Sequence, residues 1–300
     1  MIRVAVLLGG ISNEREISLK SGRKIFAQLD RKKYRVTAYD TKSQLMRLIK
    51  YVKAGKIDVV FNGLHGKGGE DGSMQGLLDL LGVKYTGSGV LASALALDKA
   101  KTKAIYREHG IPTPPSLIVE TADLKRIKSK LGKQIVIKPN ADGSSVGVSV
   151  NPPQSKWKKL IEARIKAEGS CLIESFRQGR ELTVGILGDK ALPVVEIRPK
   201  NAFFDFEAKY TPGMSDELCP APIPMKITKQ AQALGLKAHL ALGCGGYSRT
   251  DMIWSRHGLE VLETNTLPGM TATSLLPLAA KTAGIPFPKL LDLIIREALG

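Results

Sequence analysis

Short apolar runs at residues 4–8, 35–39 and 57–61 alternate with two segments of helical periodicity, one from about Glu14 and one ending near Lys53. No other feature constrains the fold of this chain as strongly. Brief strands separated by helices are the βαβ pattern of a parallel, doubly wound sheet, and ligands of such sheets gather at the loops beyond the carboxyl ends of the strands. Both loops available here are rich in glycine. Gly9-Gly10 closes the first apolar run, with Ser12 and Asn13 as candidate helix caps and Glu16 placed for a capping box. Residues 62–72, Asn-Gly-Leu-His65-Gly-Lys-Gly-Gly-Glu70-Asp71-Gly, form the second loop. A turn needs only two or three special residues, so this longer run favours close approach of backbone to a ligand over a bare reversal.

The pattern changes near residue 93. A helix carrying Lys99, Lys101 and Lys103 precedes a Pro112-Thr-Pro114-Pro115 break, and strands are expected at 116–119, 134–139 and 147–150. Further strands at 182–187 and 192–197 flank a Gly188-Asp189-Lys190 turn, and residues 200–223 then run irregularly, rich in Pro, Gly and Phe. Long stretches of that kind in compact domains are commonly lids, and Phe203, Phe204, Phe206 and Tyr210 favour a packed one. A chain of 300 residues accommodates three units, read here as an α/β domain over 1–92 and two α+β units over 93–179 and 180–300.

Composition excludes several classes. Apolar residues at 43% and charged residues at 24% describe a globular chain, not a disordered one. The net charge of +17 invites a nucleic-acid partner, but the basic residues are spread along predicted helices at 42–56, 125–133 and 156–166 without stacking aromatics between them. A solvated cationic surface, with no nucleic acid bound, is the expectation. The apolar stretch at residues 1–10 is too short for a membrane span and has no cleavage site, which reads as a first strand in a cytoplasmic protein. Three scattered cysteines with no CxxC pair suggest neither a disulfide framework nor a zinc site.

Three segments can carry chemistry. Lys138 ends a strand and is followed by Asn140-Ala-Asp-Gly143-Ser144-Ser145-Val-Gly147, small residues whose N–H groups and hydroxyls can approach phosphate oxygens while the lysine supplies charge. A plain hairpin loop remains open for it. Next, Arg249-Thr-Asp251 and Glu263-Thr-Asn265 lie on two strands joined by an Arg256-His-Gly258 turn. Residues two apart share a face, so two carboxylates and an amide oxygen can converge as hard ligands for magnesium. A cross-strand Arg249–Glu263 salt bridge is the competing reading. Finally, Thr266-Leu-Pro-Gly269-Met-Thr turns before a helix starting near Ser274; the Gly269 N–H and Arg249 can face a developing oxyanion, although a tight turn serving only chain reversal fits equally.

Taken in order, these motifs resemble the D-alanine-D-alanine ligases of the ATP-grasp superfamily. The resemblance runs from Gly9-Gly10-Ile-Ser-Asn-Glu14-Arg-Glu-Ile-Ser through His65-Gly-Lys-Gly-Gly-Glu70-Asp71-Gly, Leu97-Asp98-Lys99, Lys138-Pro, Glu207-Ala-Lys209-Tyr210 and Arg249-Thr-Asp251 to Glu263-Thr-Asn265-Thr-Leu-Pro-Gly269-Met-Thr. It implies an ATP-grasp fold, with the parallel-sheet domain followed by two α+β subdomains clasping ATP, and usually a homodimer. Lys99 and Lys138 are then expected at the ATP phosphates, Glu174 and Phe176 at the adenine, Glu181 at the ribose, Phe203 beside the nucleotide, and Lys209 at the transferred γ-phosphate. Asp251, Glu263 and Asn265 match the ligands of magnesium or manganese, as two ions. Glu14, with His65 nearby, is expected to hold the ammonium of a first D-alanine, and Ser144 and Tyr210 to connect to Glu14. Ser274 with Lys209 is expected to receive the carboxylate of the second D-alanine.

The implied reaction converts the first carboxylate into an acyl phosphate, which the second amine attacks while Arg249 and the Gly269 N–H stabilise the tetrahedral oxyanion. The segment Glu174-Ser175-Phe176-Arg177 departs from the family pattern, in which a basic residue and a larger aromatic follow the glutamate. Two alternatives remain: a ligase taking D-lactate or D-serine as second substrate, for which Tyr210 is the diagnostic position, and a phosphate- or nucleic-acid-binding protein on an inactive scaffold.

Overall fold

The computed structural model describes residues 1–141, 147–199, 214–271 and 274–300. Its first sheet is built from β1 (Ile2–Leu8), β2 (Tyr34–Asp40), β3 (Val59–Asn62) and β4 (Lys84–Tyr85), all parallel, in the order β2-β1-β3-β4. Because β1 is central, Val4, Ala5, Val6 and Leu7 are enclosed on both faces, which is why that run has no polar alternation. Helices α1 (Arg15–Gln28), α2 (Thr41–Lys53) and α3 (Ser73–Leu80) connect the strands. α1 approaches β1 so closely that a Cβ on Gly22 would strike the Leu8 side chain.

The expected capping box of Ser12, Asn13 and Glu16 does not form: Glu14 occupies the N-cap of α1 without a side-chain cap bond. The Ser12 hydroxyl instead accepts from the Glu14 N–H at 3.2 Å and donates to the His65 carbonyl at 2.7 Å. The loop after β1 is thereby tied to the loop after β3, so long-range bonding overrides the local cap.

The single helix expected near residue 93 is two, α4 (Val90–Leu97) and α5 (Lys99–Glu108). They break at Asp98, whose carboxylate caps α5 by accepting from the Lys101 N–H. The second sheet, order β5-β8-β6-β7, joins β5 (Ser116–Val119), β6 (Ile135–Lys138), β7 (Ser149–Val150) and β8 (Cys171–Ser175) in antiparallel pairs. Helices α6 (Leu124–Leu131) and α7 (Gln154–Glu168) cover it, with Ile127, Trp157 and Ile161 packed on Ile135, Ile137 and Ile173.

The third sheet, antiparallel and ordered β12-β11-β9-β13-β14, contains β9 (Gly179–Leu187), β11 (Val195–Pro199), β12 (Ser215–Leu218), β13 (Tyr247–Ser255) and β14 (Gly258–Asn265), with the short β10 (Lys190–Ala191) on β9. Strand β12 falls inside the stretch expected to be irregular. Its Ser-Asp-Glu-Leu sequence has no strand signature, and pairing with β11 supplies what local propensity lacks. Residues 200–213, with Phe203, Lys209 and Tyr210, and residues 142–146, with Ser144, lie outside the described residues.

Helices α8 (Met225–Ala241), α9 (Leu275–Thr282) and α10 (Phe287–Leu299) complete the chain. α10 returns to the first sheet, placing Leu290, Leu291, Ile294 and Ile295 in one core with Val4, Val6, Val59 and Phe61. Its buried Asp292 accepts from the Tyr34 hydroxyl at 2.7 Å. In turn, α4 and α5 bury Ala96 and Tyr106 against Ala238 of α8 and Leu242 at its C-cap, and the Tyr106 and Thr264 hydroxyls share a 2.7 Å bond. Among the described residues no helix is long and apolar enough to cross a membrane.

Candidate active site

Strands β13 and β14 meet around an Arg256-His257 turn in a register that sets Arg249 opposite Asn265 and Asp251 opposite Glu263. The period of two therefore brings all four polar residues to one face, and the register shifts just beyond them, between Asp251 and Met252. Arg249 forks onto its own-strand neighbour, with Nε 2.8 Å from Asp251 Oδ1 and Nη2 2.7 Å from Oδ2. Thr183 on β9 donates to the same Oδ1 at 2.6 Å. Glu263 Oε2 lies 3.4 Å from Lys99 Nζ at the start of α5. Two carboxylates directly opposite one another repel, and here a guanidinium and an ammonium offset that repulsion. The donor set, Asp251, Glu263 and the Asn265 amide oxygen, is all hard oxygen and suits a divalent cation such as magnesium. Among the described residues no group of three His, Cys, Asp or Glu side chains forms a metal site.

Lys99 is held in place by the chain beyond β6: its N–H donates to the Asn140 carbonyl at 3.0 Å, the Ala100 N–H to Asn140 Oδ1 at 2.9 Å, and Asn140 Nδ2 to Asp98 at 2.9 Å. The second sheet and β14 thus meet at one lysine. One turn along α5, Lys103 Nζ sits 2.7 Å from Glu174 Oε1, while Lys138 Nζ, at the end of β6, sits 2.7 Å from Oε2. Glu174, on the central strand β8, is only 3% exposed. Burial alone would raise its carboxyl, but the flanking Lys103 and Lys138 outweigh burial and hold it below the ordinary carboxylate range. Glu174, expected near adenine, is therefore also the anchor that aims Lys138. Lys103 was not among the residues expected at the site; its i, i+4 spacing from Lys99 was the available signal. Phe176, half-buried, donates its N–H to the Gln134 carbonyl at 3.0 Å, and Glu181 stands on β9 between Ile197 and Ile253.

At the first sheet, Glu14 is buried at the start of α1. A Cβ on Gly66, whose φ is +70°, would lie 2.6 Å from Glu14 Oε2, so glycine makes room for this carboxylate. His65 is fixed on three sides: its N–H donates to Ser18 Oγ at 2.7 Å, Nε2 is 3.0 Å from Ser21 Oγ and Nδ1 is 3.2 Å from Glu70 Oε1. Arg15 donates to the Gly10 carbonyl at 2.9 Å and to Asp40 Oδ1 at 2.9 Å, and chiefly through that hydrogen bonding the Asp40 carboxyl is pulled down to about 2. Across from this loop, Ser274 Oγ accepts the Thr271 N–H at 2.9 Å, and a Cβ on Gly269 would lie 2.8 Å from that Oγ. Ser21 and Thr183 lie outside every motif read from the sequence, and Ser18, which closes the Glu14-Arg-Glu-Ile-Ser motif, was given no role; these contacts made all three visible. The sequence-expected residues Ser144, Phe203, Lys209 and Tyr210 lie outside the described residues.

Residues 105–296 match the D-ala D-ala ligase C-terminus family, and residues 3–46 and 40–88 match the D-ala D-ala ligase N-terminus family. A D-alanine--D-alanine ligase from Syntrophobacter fumaroxidans is 48% identical over 99% of this chain and 98% of its own length. The chain belongs to the D-alanine-D-alanine ligase family. The same name attaches to a Zymomonas mobilis relative, 47% identical over 99% of this chain and 94% of its own. The crystal structure of a Bacillus anthracis D-alanine--D-alanine ligase complexed with ATP superposes with a TM-score of 0.88 at 35% identity, covering 100% of this chain and 98% of that one. The fold is thus the ATP-grasp fold of the D-alanine-D-alanine ligases. Glu14 and His65 fall in the N-terminal match, Lys138, Glu174, the paired strands, Gly269 and Ser274 in the C-terminal one, and Lys99 and Lys103 between the two.

Proposed function

We propose that this enzyme joins two D-alanines at the expense of ATP, through a D-alanyl phosphate, to give the dipeptide used in peptidoglycan synthesis. The observation that carries the proposal is the in-register set of Arg249, Asp251, Glu263 and Asn265, with Lys99 on Glu263, inside a full-length likeness to ligases of that name. A carboxylate is a poor electrophile, so its oxygen first takes the γ-phosphoryl group of ATP, releasing ADP. Lys99 and Lys138 supply positive charge to the phosphates, and Glu174 holds Lys138 in place. Glu181 and Phe176 are assigned to the ribose and adenine, and Phe203 and Lys209 to the nucleotide and γ-phosphate.

Glu14, desolvated beneath Gly66, receives the ammonium of the first D-alanine, with His65 alongside. Ser144 and Tyr210 are assigned to hydrogen bonds with Glu14. The second D-alanine places its carboxylate at Ser274 and Lys209, and its amine, having lost a proton, attacks the acyl carbon. Arg249 and the Gly269 N–H face the oxyanion, and phosphate leaves as the tetrahedral adduct collapses; one such donor is worth roughly 3 to 4 kcal/mol of barrier. Magnesium or manganese, as two ions on Asp251, Glu263 and Asn265, would neutralise the phosphate oxygens. The division into units 1–92, 93–179 and 180–300, a cytoplasmic location and a homodimeric state belong to the same reading.

The test is phosphate release from ATP with and without D-alanine and with and without Mg²⁺. Release requiring both supports the ligase; none under any condition favours a binding protein on an inactive scaffold. Supplying D-lactate beside D-alanine asks for the second substrate, and mainly ester product would overturn dipeptide synthesis.

A further inference from the structure

The Ser21 hydroxyl stands between two parts of the site that the chain separates by more than two hundred residues. It is fully buried on the inner face of α1, with Oγ 3.0 Å from His65 Nε2. The same oxygen accepts the Met270 N–H at 3.4 Å. His65 reaches Glu70 through its other ring nitrogen, so a chain of polar contacts runs from Glu70 through His65 and Ser21 to the peptide directly after Gly269. A hydroxyl that accepts from Met270 still has its own proton to give, and donating it to Nε2 leaves Nδ1–H for the Glu70 carboxylate. That polarity satisfies all three buried groups at once. On the other side of the turn, Ser274 Oγ accepts the Thr271 N–H at 2.9 Å. The backbone carrying Gly269 is thus held by two serines, one from the first sheet's helix and one from its own.

We infer that Ser21 is a positioning residue that couples the first D-alanine's site at His65 to the Gly269–Met270 turn facing the second step. The inference rests on the acyl-phosphate reading above. Its physical content is that the Gly269 N–H points usefully only while the next peptide is pinned, and that the pin is anchored on the imidazole beside the first substrate. Loosening it leaves phosphoryl transfer intact but lets the acyl phosphate wait for the amine. Water then takes the acyl carbon, returning D-alanine and phosphate without dipeptide.

The readout is the ratio of phosphate released to dipeptide formed, measured on the full chain with ATP, Mg²⁺ and D-alanine. Ser21→Ala is expected to raise that ratio from one towards ten, a smaller effect than the roughly hundredfold cost of deleting an oxyanion donor outright. Ser18→Ala removes a different hold on His65, its backbone N–H, without touching Met270, and is expected to keep the ratio near one. A ratio that stays at one in Ser21→Ala, or rises equally in Ser18→Ala, overturns the coupling. If Ser21→Ala does not fold, Ser21→Cys is held to the same readout, and failure of both to fold assigns Ser21 to packing alone and overturns the inference. Absence of D-alanine-dependent phosphate release by the unaltered protein would instead sink the ligase reading itself.

Discussion

Replacing Lys103 by Met probes the most deeply enclosed charges of the site. Lys103 is 0% exposed, and its partner Glu174 is flanked by two ammonium groups among the described residues, each at 2.7 Å. Methionine keeps most of the volume, so what is lost is the positive charge facing Glu174 and the Nζ hydrogen bonds to Thr113 Oγ1 at 2.5 Å and the Pro114 carbonyl at 3.3 Å. Removing one partner of a buried pair costs about 3 to 5 kcal/mol; because Lys138 remains, the lower end applies, about 3 kcal/mol. At about 2 °C per kcal/mol for a chain of this size, the melting temperature should fall by about 6 °C. Combining Lys103→Met with Glu174→Gln, which removes the stranded charge, should destabilise by about 1 to 3 kcal/mol less than the sum of the two single changes. The pH dependence has a fixed sign. Glu174 is held below its ordinary 4.5, so its paired state contributes stability above that pH and loses it as the pH falls through the folded value. The gap between the two proteins should therefore narrow on acidification. Urea unfolding at pH 7 and at pH 4 measures the loss, the coupling and the narrowing, and thermal unfolding measures the shift in melting temperature. A loss below about 1 kcal/mol, or strict additivity with Glu174→Gln, would refute the idea that Lys103 carries charge onto Glu174.

Other consequences are as direct. Asp251→Asn leaves Arg249 and Thr183 facing a neutral amide and should raise the Mg²⁺ concentration for half-maximal phosphate release by about tenfold or more, read by Mg²⁺ titration. Gly66→Ala puts a methyl 2.6 Å from Glu14 Oε2 at a backbone φ of +70°; a strain of roughly 1 to 2 kcal/mol should lower the melting temperature by about 2 to 4 °C, and displacement of the Glu14 carboxylate should raise the KM for the first D-alanine. Asp40, pulled from 3.8 to about 2 chiefly by Arg15, contributes stability above pH 3.8 that is lost as the pH falls towards 2. Arg15→Ala should accordingly lose stability at pH 7 and approach the unaltered protein near pH 2, as followed by thermal unfolding at both.

The parallel sheet was legible because a central strand enclosed on both faces must be uniformly apolar, as residues 4–8 are. The facing of Arg249, Asp251, Glu263 and Asn265 was legible for an equally local reason, since the strand period is two and the turn between the strands is short. Two features were not. Helix α1 takes no capping box because Ser12 is drawn to His65, 53 residues away, and β12 exists only because β11 offers it a partner. A single window of sequence contains neither partner.

By itself, then, the order of residues determined the parallel βαβ sheet, the glycine loops, the oxygen-rich face of β13 and β14 and the family resemblance, because each depends on period or motif within a few residues. Tertiary structure decided which charges meet. It set Lys103 and Lys138 on Glu174, Lys99 on Glu263, Thr183 on Asp251 and Ser21 between His65 and Met270, and it sent α10 back to the first sheet. Those pairings join residues tens to hundreds of positions apart. They arise from burying apolar faces together, after which every enclosed polar group must find its partner among whatever that burial has brought near.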